Sequence, residues 1–116
     1  MIYQGSCHCG NLKYEVVGDI DSGMACNCSM CGRRGSLLWF TSRDQFHLKV
    51  ADEAAATYLF NKHAIRHRFC ATCGIHPWGE ALDPQSGRET VAINIRCIEG
   101  LDPEKIPVTH YDGRSK

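Results

Sequence analysis

The stretch Cys26-Asn27-Cys28-Ser29-Met30-Cys31 places three thiols within six residues, which is too dense for core packing and too close for ordinary disulfides. A C-x-C-x-x-C turn can point three sulfurs at one point, and the ion that thiolates most often hold is zinc. Three ligands leave one tetrahedral position open, which distinguishes a catalytic from a structural zinc. We therefore predict a catalytic zinc on Cys26, Cys28 and Cys31. The alternative is a closed structural site whose fourth ligand comes from elsewhere in the chain.

The length and the net charge of the chain limit the class of protein in which this site can lie. The chain has 116 residues, enough for one domain over residues 1–116 with a single modest core. Its 13 basic and 13 acidic side chains balance, which disfavours a broad electrostatic surface for nucleic acid or an anionic membrane. The first residues show no signal peptide, and no apolar run approaches the ~20 residues of a membrane helix. We therefore expect a cytoplasmic protein that binds no nucleic acid and no membrane. In a reducing cytosol its eight cysteines indicate metal binding or catalysis.

Short segments of alternating or continuous apolar character recur along the chain, separated by turn residues. They predict an all-β, mostly antiparallel small domain whose turns bind zinc. The segments Asp52–Ala56 and Asp102-Pro103 favour only brief helical turns, and from Ile106 onward we expect a surface tail. Strands are expected at Ile2–Tyr3, Leu12–Val16, Ser36–Thr41, Phe46–Val50, Thr57–Phe60, Ile65–Phe69, Ile75–Ala81 and Thr90–Ile98, with Asn61–Ala64 as a hairpin connection.

Four further cysteines form two pairs that lie far apart in the sequence. Cys7 and Cys9 make a C-x-C pair, and Cys70 and Cys73 make a C-x-x-C knuckle. The two pairs together complete one tetrahedral Cys₄ site, which would staple a domain whose core alone is marginal. The cysteine groups thus predict two zinc ions per chain, one structural and one catalytic.

Cys97 remains outside these groups and is the obvious candidate for a fourth ligand to the triple-cysteine turn. It shares strand parity with Val91, Ile93 and Ile95, so its sulfur should point into the core with those side chains. A free cysteine is a common small buried hydrophobe. We therefore expect Cys97 to be a core residue and not a ligand.

Three segments occur in order over most of the chain: Gly5-Ser6-Cys7-His8-Cys9-Gly10, Cys26-Asn27-Cys28-Ser29-Met30-Cys31 and Phe69-Cys70-Ala71-Thr72-Cys73-Gly74. Together they resemble the glutathione-dependent formaldehyde-activating enzyme family, to which the C-terminal part of centromere protein V is also similar. The resemblance implies an Mss4-like, all-β fold with a structural zinc on the four paired cysteines and a catalytic zinc on the triple group. It also implies carbon–sulfur lyase chemistry, in which glutathione and formaldehyde combine to S-hydroxymethylglutathione.

The charge of a three-thiolate zinc indicates what it can do. Three thiolates outweigh the charge of the ion, so the site is a poor Lewis acid, and its natural task is to bind a further sulfur as a thiolate. We therefore predict a small-molecule thiol, or a thiol–aldehyde adduct, as the partner. Arg33 and Arg34 directly follow Cys31 and could offset the charge or hold a substrate carboxylate; the alternative is two solvated surface arginines. His76, which follows the C-x-x-C knuckle of Cys70 and Cys73, is the third candidate substrate contact.

Two non-enzymatic interpretations compete with this one. Both zinc ions could be structural in a module that recognises a macromolecule, for which the locally basic hairpin Lys62–Arg68 is the best support. The neutral overall charge disfavours nucleic acid as that partner. Metal storage or redox sensing by the thiols is a further interpretation, and the well-formed strand pattern around the cysteines disfavours it.

Overall fold

The regular secondary structure of the chain is mostly β-strand in a computed structural model, which confirms the all-β prediction. The structure describes residues 1–59, 65–82 and 85–115. One six-residue helix, α1, covers Ser29–Arg34. The strands are β1 (Ile2–Ser6), β2 (Lys13–Val17), β3 (Gly23–Cys26), β4 (Leu38–Ser42), β5 (Phe46–Leu48), β6 (Ala56–Tyr58), β7 (Ile65–Phe69), β8 (Trp78–Leu82), β9 (Glu89–Asn94) and β10 (Val108–Tyr111).

These strands form two sheets. One is antiparallel, with three strands in the order β1-β2-β5. The other has seven strands in the order β10-β3-β4-β9-β8-β7-β6, and its pairs are antiparallel except for β10 with β3. The predicted mostly antiparallel arrangement is therefore present, with one parallel pair at the edge that leads into the triple-cysteine turn.

Three aromatic side chains pack between the two sheets. The ring of Tyr14 (β2) lies 5.1 Å from that of Phe46 (β5) and 5.8 Å from that of Trp78 (β8), and the last two are 5.3 Å apart. Each of these residues is at most 2 % exposed. Gly5 of β1 stands opposite Tyr14, where an added Cβ would lie 2.2 Å from the ring. The absence of a side chain at Gly5 therefore makes room for the aromatic core.

A buried charge network joins β7 and β8 on the same inner face. Arg68 is 2 % exposed, and its guanidinium lies 3.0 Å from both Asp52 Oδ1 and Glu80 Oε2. Trp78 Nε1 donates a hydrogen bond to the same Glu80 oxygen at 2.8 Å, and Arg66 pairs with the other oxygen. Because a buried cation is costly unless paired, these contacts fix the two strands side by side.

The strand register places a row of four paired residues on the outer face of the seven-stranded sheet, and this row shapes the site. Phe40 (β4) is paired with Ala92 (β9), Ala92 with Gly79 (β8), and Gly79 with His67 (β7). Paired residues point to the same side of a sheet, so these four form one row across four strands. The two small residues in the middle leave a depression between Phe40 and His67.

The C-terminal segment differs from the sequence prediction. The expected surface tail from Ile106 onward contains β10, which pairs in parallel with β3 from Val108 opposite Gly23 to Tyr111 opposite Cys26. All four residues of β10 are exposed, so no apolar alternation marks it in the sequence. Neither β3 nor α1 was expected as a regular element, because glycine and cysteine carry little propensity for either structure.

The strand predicted at Thr90–Ile98 is shorter than expected. β9 ends at Asn94, whose side chain accepts a hydrogen bond from Arg96 N at 3.2 Å and caps a 3₁₀ turn over Ile95–Cys97. The period-two alternation of the sequence therefore continues past the end of the strand. For this reason the alternation does not predict the direction of the Cys97 side chain.

The two brief helical turns occur where the sequence predicts them. They are single 3₁₀ turns at Asp52–Ala54 and Pro103–Lys105, and the second begins with Asp102 Oδ1 accepting from Glu104 N at 3.0 Å. The hairpin predicted at Asn61–Ala64 lies outside the described residues. No helix in the described part of the chain is long and apolar enough to span a membrane.

Candidate functional site

Two groups of cysteine sulfurs come together in the fold. The four-sulfur group contains Cys7, Cys9, Cys70 and Cys73, whose Sγ atoms all lie within 4.8 Å of one another. Cys9 Sγ lies 3.7 Å from Cys7 Sγ and 3.5 Å from Cys70 Sγ, although Cys9 and Cys70 are 61 positions apart in the sequence. Zn–S bonds of about 2.3 Å would separate the sulfurs of a tetrahedral site by about 3.8 Å. The donor set and spacing therefore fit one zinc ion.

Backbone hydrogen bonds orient the sulfurs of the C-x-x-C knuckle formed by Cys70 and Cys73. Cys70 Sγ accepts from Cys73 N at 3.4 Å, and Gly74 N closes the turn on Cys70 O at 2.7 Å. Gly74 has φ +81°, a left-handed conformation that suits glycine. The backbone N–H groups of Cys9 and Ile75 lower the pKa of Cys73 to about 6. N–H groups aimed at sulfur favour the thiolate, which is the form that binds metal.

The three-sulfur group contains Cys26, Cys28 and Cys31, whose Sγ atoms also lie within 4.8 Å of one another. Cys26 ends β3, Cys28 is the N-cap of α1, and Cys31 lies within the helix. Cys28 Sγ accepts from Cys31 N at 3.3 Å, and Cys26 Sγ accepts from Cys28 N at 3.5 Å. Among residues 1–59, 65–82 and 85–115, no fourth Cys, His, Asp or Glu joins this group.

Cys28 and Cys31 of the three-sulfur group do not ionise equally easily, because the charge of the Cys28 thiolate opposes ionisation of Cys31. Burial and the neighbouring Cys28 raise the pKa of Cys31 to about 12. Burial also raises the pKa of Cys28, but the backbone N–H groups of Cys31 and Met30 outweigh it, so that this pKa lies below its ordinary value. A divalent cation removes the conflict because it stabilises all the thiolates together. The donor chemistry therefore fits zinc here as well.

The C-terminal segment forms one wall of the three-sulfur group. Asn27 Nδ2 donates to Asp112 Oδ1 at 2.9 Å, and Asn27 Oδ1 accepts from Arg114 N at 2.8 Å. These bonds hold Gly113 against the sulfurs, where an added Cβ would lie 2.6 Å from Cys26 Sγ. No side chain fits at this position.

A cavity of about 230 Å³ lies between the three-sulfur group and the outer face of the seven-stranded sheet. All three cysteines line it, and the row from Phe40 to His67 forms its floor. No Asp or Glu is present among the described residues that line it. Its walls are mostly apolar and include Met24, Met30, Leu38 and Ile65, and its polar lining residues include Arg34, His76 and Tyr111.

A wider groove of about 450 Å³ borders the other side of the triple-cysteine turn. Its lining is more polar and includes Arg96, His110 and Asp112. Cys26 and Cys31 border this groove, but Cys28 does not. The smaller cavity is therefore the one that contacts all three sulfurs.

The two candidate arginines lie in different environments. Arg33 is exposed, and its Nη1 donates to Ser29 O at 2.9 Å. Arg34 lines the cavity, three positions after Cys31 and hence on the same helix face. Arg34 Nη1 is buried, and no described residue accepts a hydrogen bond from it. Burial lowers the pKa of Arg34, an effect that Cys31 opposes, but a guanidinium stays protonated at neutral pH. Of the two alternatives in the sequence, Arg33 fits the surface residue and Arg34 the site residue.

His76, the third candidate, also lines the cavity. Its Nδ1 lies 2.8 Å from the carbonyl oxygen of Arg68. A carbonyl can only accept, so Nδ1 carries the proton and Nε2 carries the lone pair. Burial and the charge of Arg34 lower the pKa of His76 to about 4. His76 is therefore a neutral imidazole near pH 7.

Cys97 joins neither sulfur group. It lies in the 3₁₀ turn after β9 and is half-buried, which differs from the expected core position. Burial and the charges of Cys7 and Cys73 raise its pKa to about 11. The neighbours that act on its sulfur therefore belong to the four-sulfur group and not to the three-sulfur group, whose fourth ligand it was a candidate to be.

Two contributions to the site have no clear signal in the sequence. Phe40 and Ile65 read as ordinary strand residues, yet they are 51 % and 44 % exposed and line the cavity. Gly113 reads as a turn residue, because the contact that requires glycine is made with a side chain far away in the sequence. Only the order of the strands in the sheet reveals these roles.

Known proteins resemble the chain in sequence and in fold. A family model described as glutathione-dependent formaldehyde-activating enzyme matches residues 2–111, which include both sulfur groups. The crystal structure of a Rhodobacter sphaeroides protein is similar with a TM-score of 0.75 and 28% sequence identity. The similarity covers 91% of this chain and 99% of that chain.

Proposed function

The chain belongs to the glutathione-dependent formaldehyde-activating enzyme family, and from this premise we propose that it is a zinc-dependent carbon–sulfur lyase acting on thiol–aldehyde adducts. The observation that carries the proposal is the difference between the two sulfur groups. One has four sulfurs, and the other has three that face a cavity. A closed zinc site stabilises a fold, whereas a site with a vacant position can bind a substrate.

We assign a structural zinc to the four-sulfur group and a catalytic zinc to the three-sulfur group. A zinc ion held by Cys26, Cys28 and Cys31 would supply one open position for a thiol and would favour the deprotonated form of that thiol near neutral pH. The chain itself holds the three sulfurs together through β3, α1 and the segment after β10. It also places beside them a cavity large enough for a small substrate.

The proposed reaction balances without a further reactant. The thiolate sulfur donates an electron pair to the aldehyde carbon, and the C–S bond forms as the carbonyl π pair moves to oxygen. That oxygen takes the proton that the thiol released. In reverse, the hydroxyl of the adduct loses its proton, the C=O bond re-forms, and sulfur leaves with the bonding pair. An adduct similar to S-hydroxymethylglutathione meets these requirements.

Residues of the cavity position the adduct. Met24, Leu38 and Phe40 exclude water from the aldehyde carbon, which water would otherwise hydrate. His76 Nε2 carries a lone pair and accepts a hydrogen bond from the adduct's hydroxyl. With a pKa of about 4, this imidazole is a weak base. Its role is therefore to orient the hydroxyl.

The macromolecule-binding module has less support. Its case depends on the basic hairpin, but Arg68 is buried and paired with Asp52 and Glu80, and Arg66 is paired with Glu80. Charges neutralised in this way attract phosphates weakly. Residues 62–64 of that hairpin lie outside the described part of the chain.

Exchange NMR tests the proposed lyase activity. Zinc-loaded protein is added to an equilibrium mixture of formaldehyde with glutathione or with 3-mercaptopropionate, and the exchange rate between free thiol and adduct is measured. We expect faster exchange with the wild-type and Cys97→Ser proteins for at least one thiol, and the uncatalysed rate with Cys28→Ser. The uncatalysed rate with the wild-type protein for both thiols would contradict the proposal and favour the binding module.

A further inference from the structure

The volume and the lining of the cavity beside the three-sulfur group restrict the ligand more narrowly than thiol binding alone does. Its volume of about 230 Å³ is below the range of about 300–1,000 Å³ that is typical for drug-sized ligands. Met24, Met30 and Leu38 make its walls largely apolar. A ligand that fills it is therefore small and has an apolar body.

Arg34 brings a positive charge into this apolar surrounding. Its Nη1 is buried and has no hydrogen-bond acceptor in the described ranges of the chain, the sulfurs of the three-sulfur group included. The described lining of the cavity offers no carboxylate, and none of the ion pairs found among described residues involves Arg34. Burying a guanidinium nitrogen without a hydrogen-bond acceptor costs free energy, even though the charge of Cys31 acts on Arg34. An anionic group that enters the cavity with the ligand would supply the missing acceptor.

We propose that the thiol partner of the three-sulfur group is a small, largely apolar thiol with a single carboxylate, and that Arg34 binds this carboxylate. The inference rests on the proposed function and narrows its substrate class. Residues three apart on a helix have Cβ atoms about 5–6 Å apart, and Cys31 and Arg34 line the same small cavity, so one short ligand can reach both. A guanidinium also binds a carboxylate through two parallel hydrogen bonds, which fixes the ligand's orientation.

Glutathione matches this cavity poorly. It carries two carboxylates, one ammonium and two amides, whereas the cavity offers one guanidinium and no described carboxylate for the ammonium. Each unpaired buried charge costs free energy. A larger polar thiol would have to extend into the wider groove lined by Arg96, His110 and Asp112. Arg34 does not line that groove.

The test compares a mercapto acid with its neutral ester. Both metals are replaced by cobalt, whose absorption responds to a new sulfur ligand, and the protein is titrated with 3-mercaptopropionate, methyl 3-mercaptopropionate and glutathione. The affinity ratio of acid to ester is compared between wild type, Arg34→Gln and Arg33→Gln. The Arg33 variant makes the same charge change on the same helix, outside the cavity. We expect Arg34→Gln to lower the ratio by about tenfold or more, as loss of a charged hydrogen bond requires, and Arg33→Gln to leave it unchanged.

Each other outcome contradicts a distinct part of the inference. If Arg34→Gln weakens acid and ester equally, Arg34 only offsets the charge of the sulfurs, and the carboxylate site is wrong. If wild type binds glutathione more tightly than 3-mercaptopropionate, the small-substrate class is wrong. If no thiol alters the cobalt spectrum, the proposed function itself fails, and this inference fails with it.

Discussion

Gly113 lies so close to Cys26 that a Cβ on the glycine would stand 2.6 Å from the cysteine sulfur. The contact exists because β10 pairs with β3, the strand that ends at Cys26. Asn27 then fixes the following segment through its hydrogen bonds to Asp112 and Arg114. The end of the described chain is therefore part of the wall that confines the three sulfurs.

We expect Gly113→Ala to weaken zinc binding at the three-sulfur group and to leave the other zinc in place. The new methyl group would push Cys26 Sγ out of position, and disturbed support of metal ligands typically costs about 10–100-fold in metal affinity. Zinc content after competition with a chelator measures the effect. Arg114→Ala is the control, because it removes only a side chain from the same segment. Equal zinc retention in both variants would show that the close approach of Gly113 to Cys26 Sγ does not support zinc binding.

We expect Cys73→Ser to cost the protein its fold or its solubility. The four-sulfur group joins the first turn to a knuckle 61 residues later, and a structural zinc contributes about 10–16 kcal/mol in small zinc peptides, against a total domain stability of about 5–15 kcal/mol. Thermal unfolding and zinc content measure this, with Cys97→Ser as the control. Unchanged melting with both metals retained would refute the ligand assignment.

We expect Glu80→Ala to lower the free energy of unfolding by about 1–3 kcal/mol, because it removes one partner of the buried Arg68 while Asp52 remains. Urea denaturation of the zinc-loaded protein measures the change. The exposed Glu104 gives a control, whose alanine variant should stay within about 0.5 kcal/mol of wild type. Thiol affinity should not change in either variant, since Glu80 does not line the cavity. A large loss of thiol affinity in Glu80→Ala would contradict the purely structural role.

We expect the imidazole of His76 to stay neutral, with the proton on Nδ1, down to about pH 5. Its pKa is lowered from 6.5 to about 4 in the folded protein, so the unfolded chain binds the proton more tightly. The stability that the neutral ring contributes is therefore complete above pH 6.5 and is lost as the pH falls toward 4. Nitrogen-detected NMR of the imidazole follows this titration while zinc retention is monitored. A midpoint near 6.5 would show that His76 is solvated.

The sequence allows most of the strands, though not β3 and β10, and both cysteine groups to be predicted, because each of these has a local signal. Alternation marks β2, β5 and β9, and the C-x-C and C-x-x-C spacings mark sulfurs that must share a neighbourhood. The brief turn after Asp102 has its own cap and proline. In each case the residues that carry the structure are adjacent in the sequence.

The cavity could not be predicted, since its parts meet only through the sheet. The row from Phe40 to His67 depends on the order β4-β9-β8-β7, and Arg34 differs from Arg33 only in its direction on a helix too short to show periodicity. β10 was missed because an exposed strand of four residues has no apolar alternation. Cys97 was misplaced because the alternation extends past the end of β9.

The central claim is that only one of the two sulfur groups has an open position, and cobalt spectroscopy with a thiol tests it most directly. Cobalt absorption reports the number of bound sulfurs, so a small thiol should convert one metal of the two from a three-sulfur to a four-sulfur spectrum and leave the other unchanged. Cys28→Ser should abolish the conversion while the fold persists, and Cys97→Ser should leave it intact. If the thiol changes neither metal, or if Cys97→Ser opens a coordination position, the three-sulfur site is closed and the account is wrong.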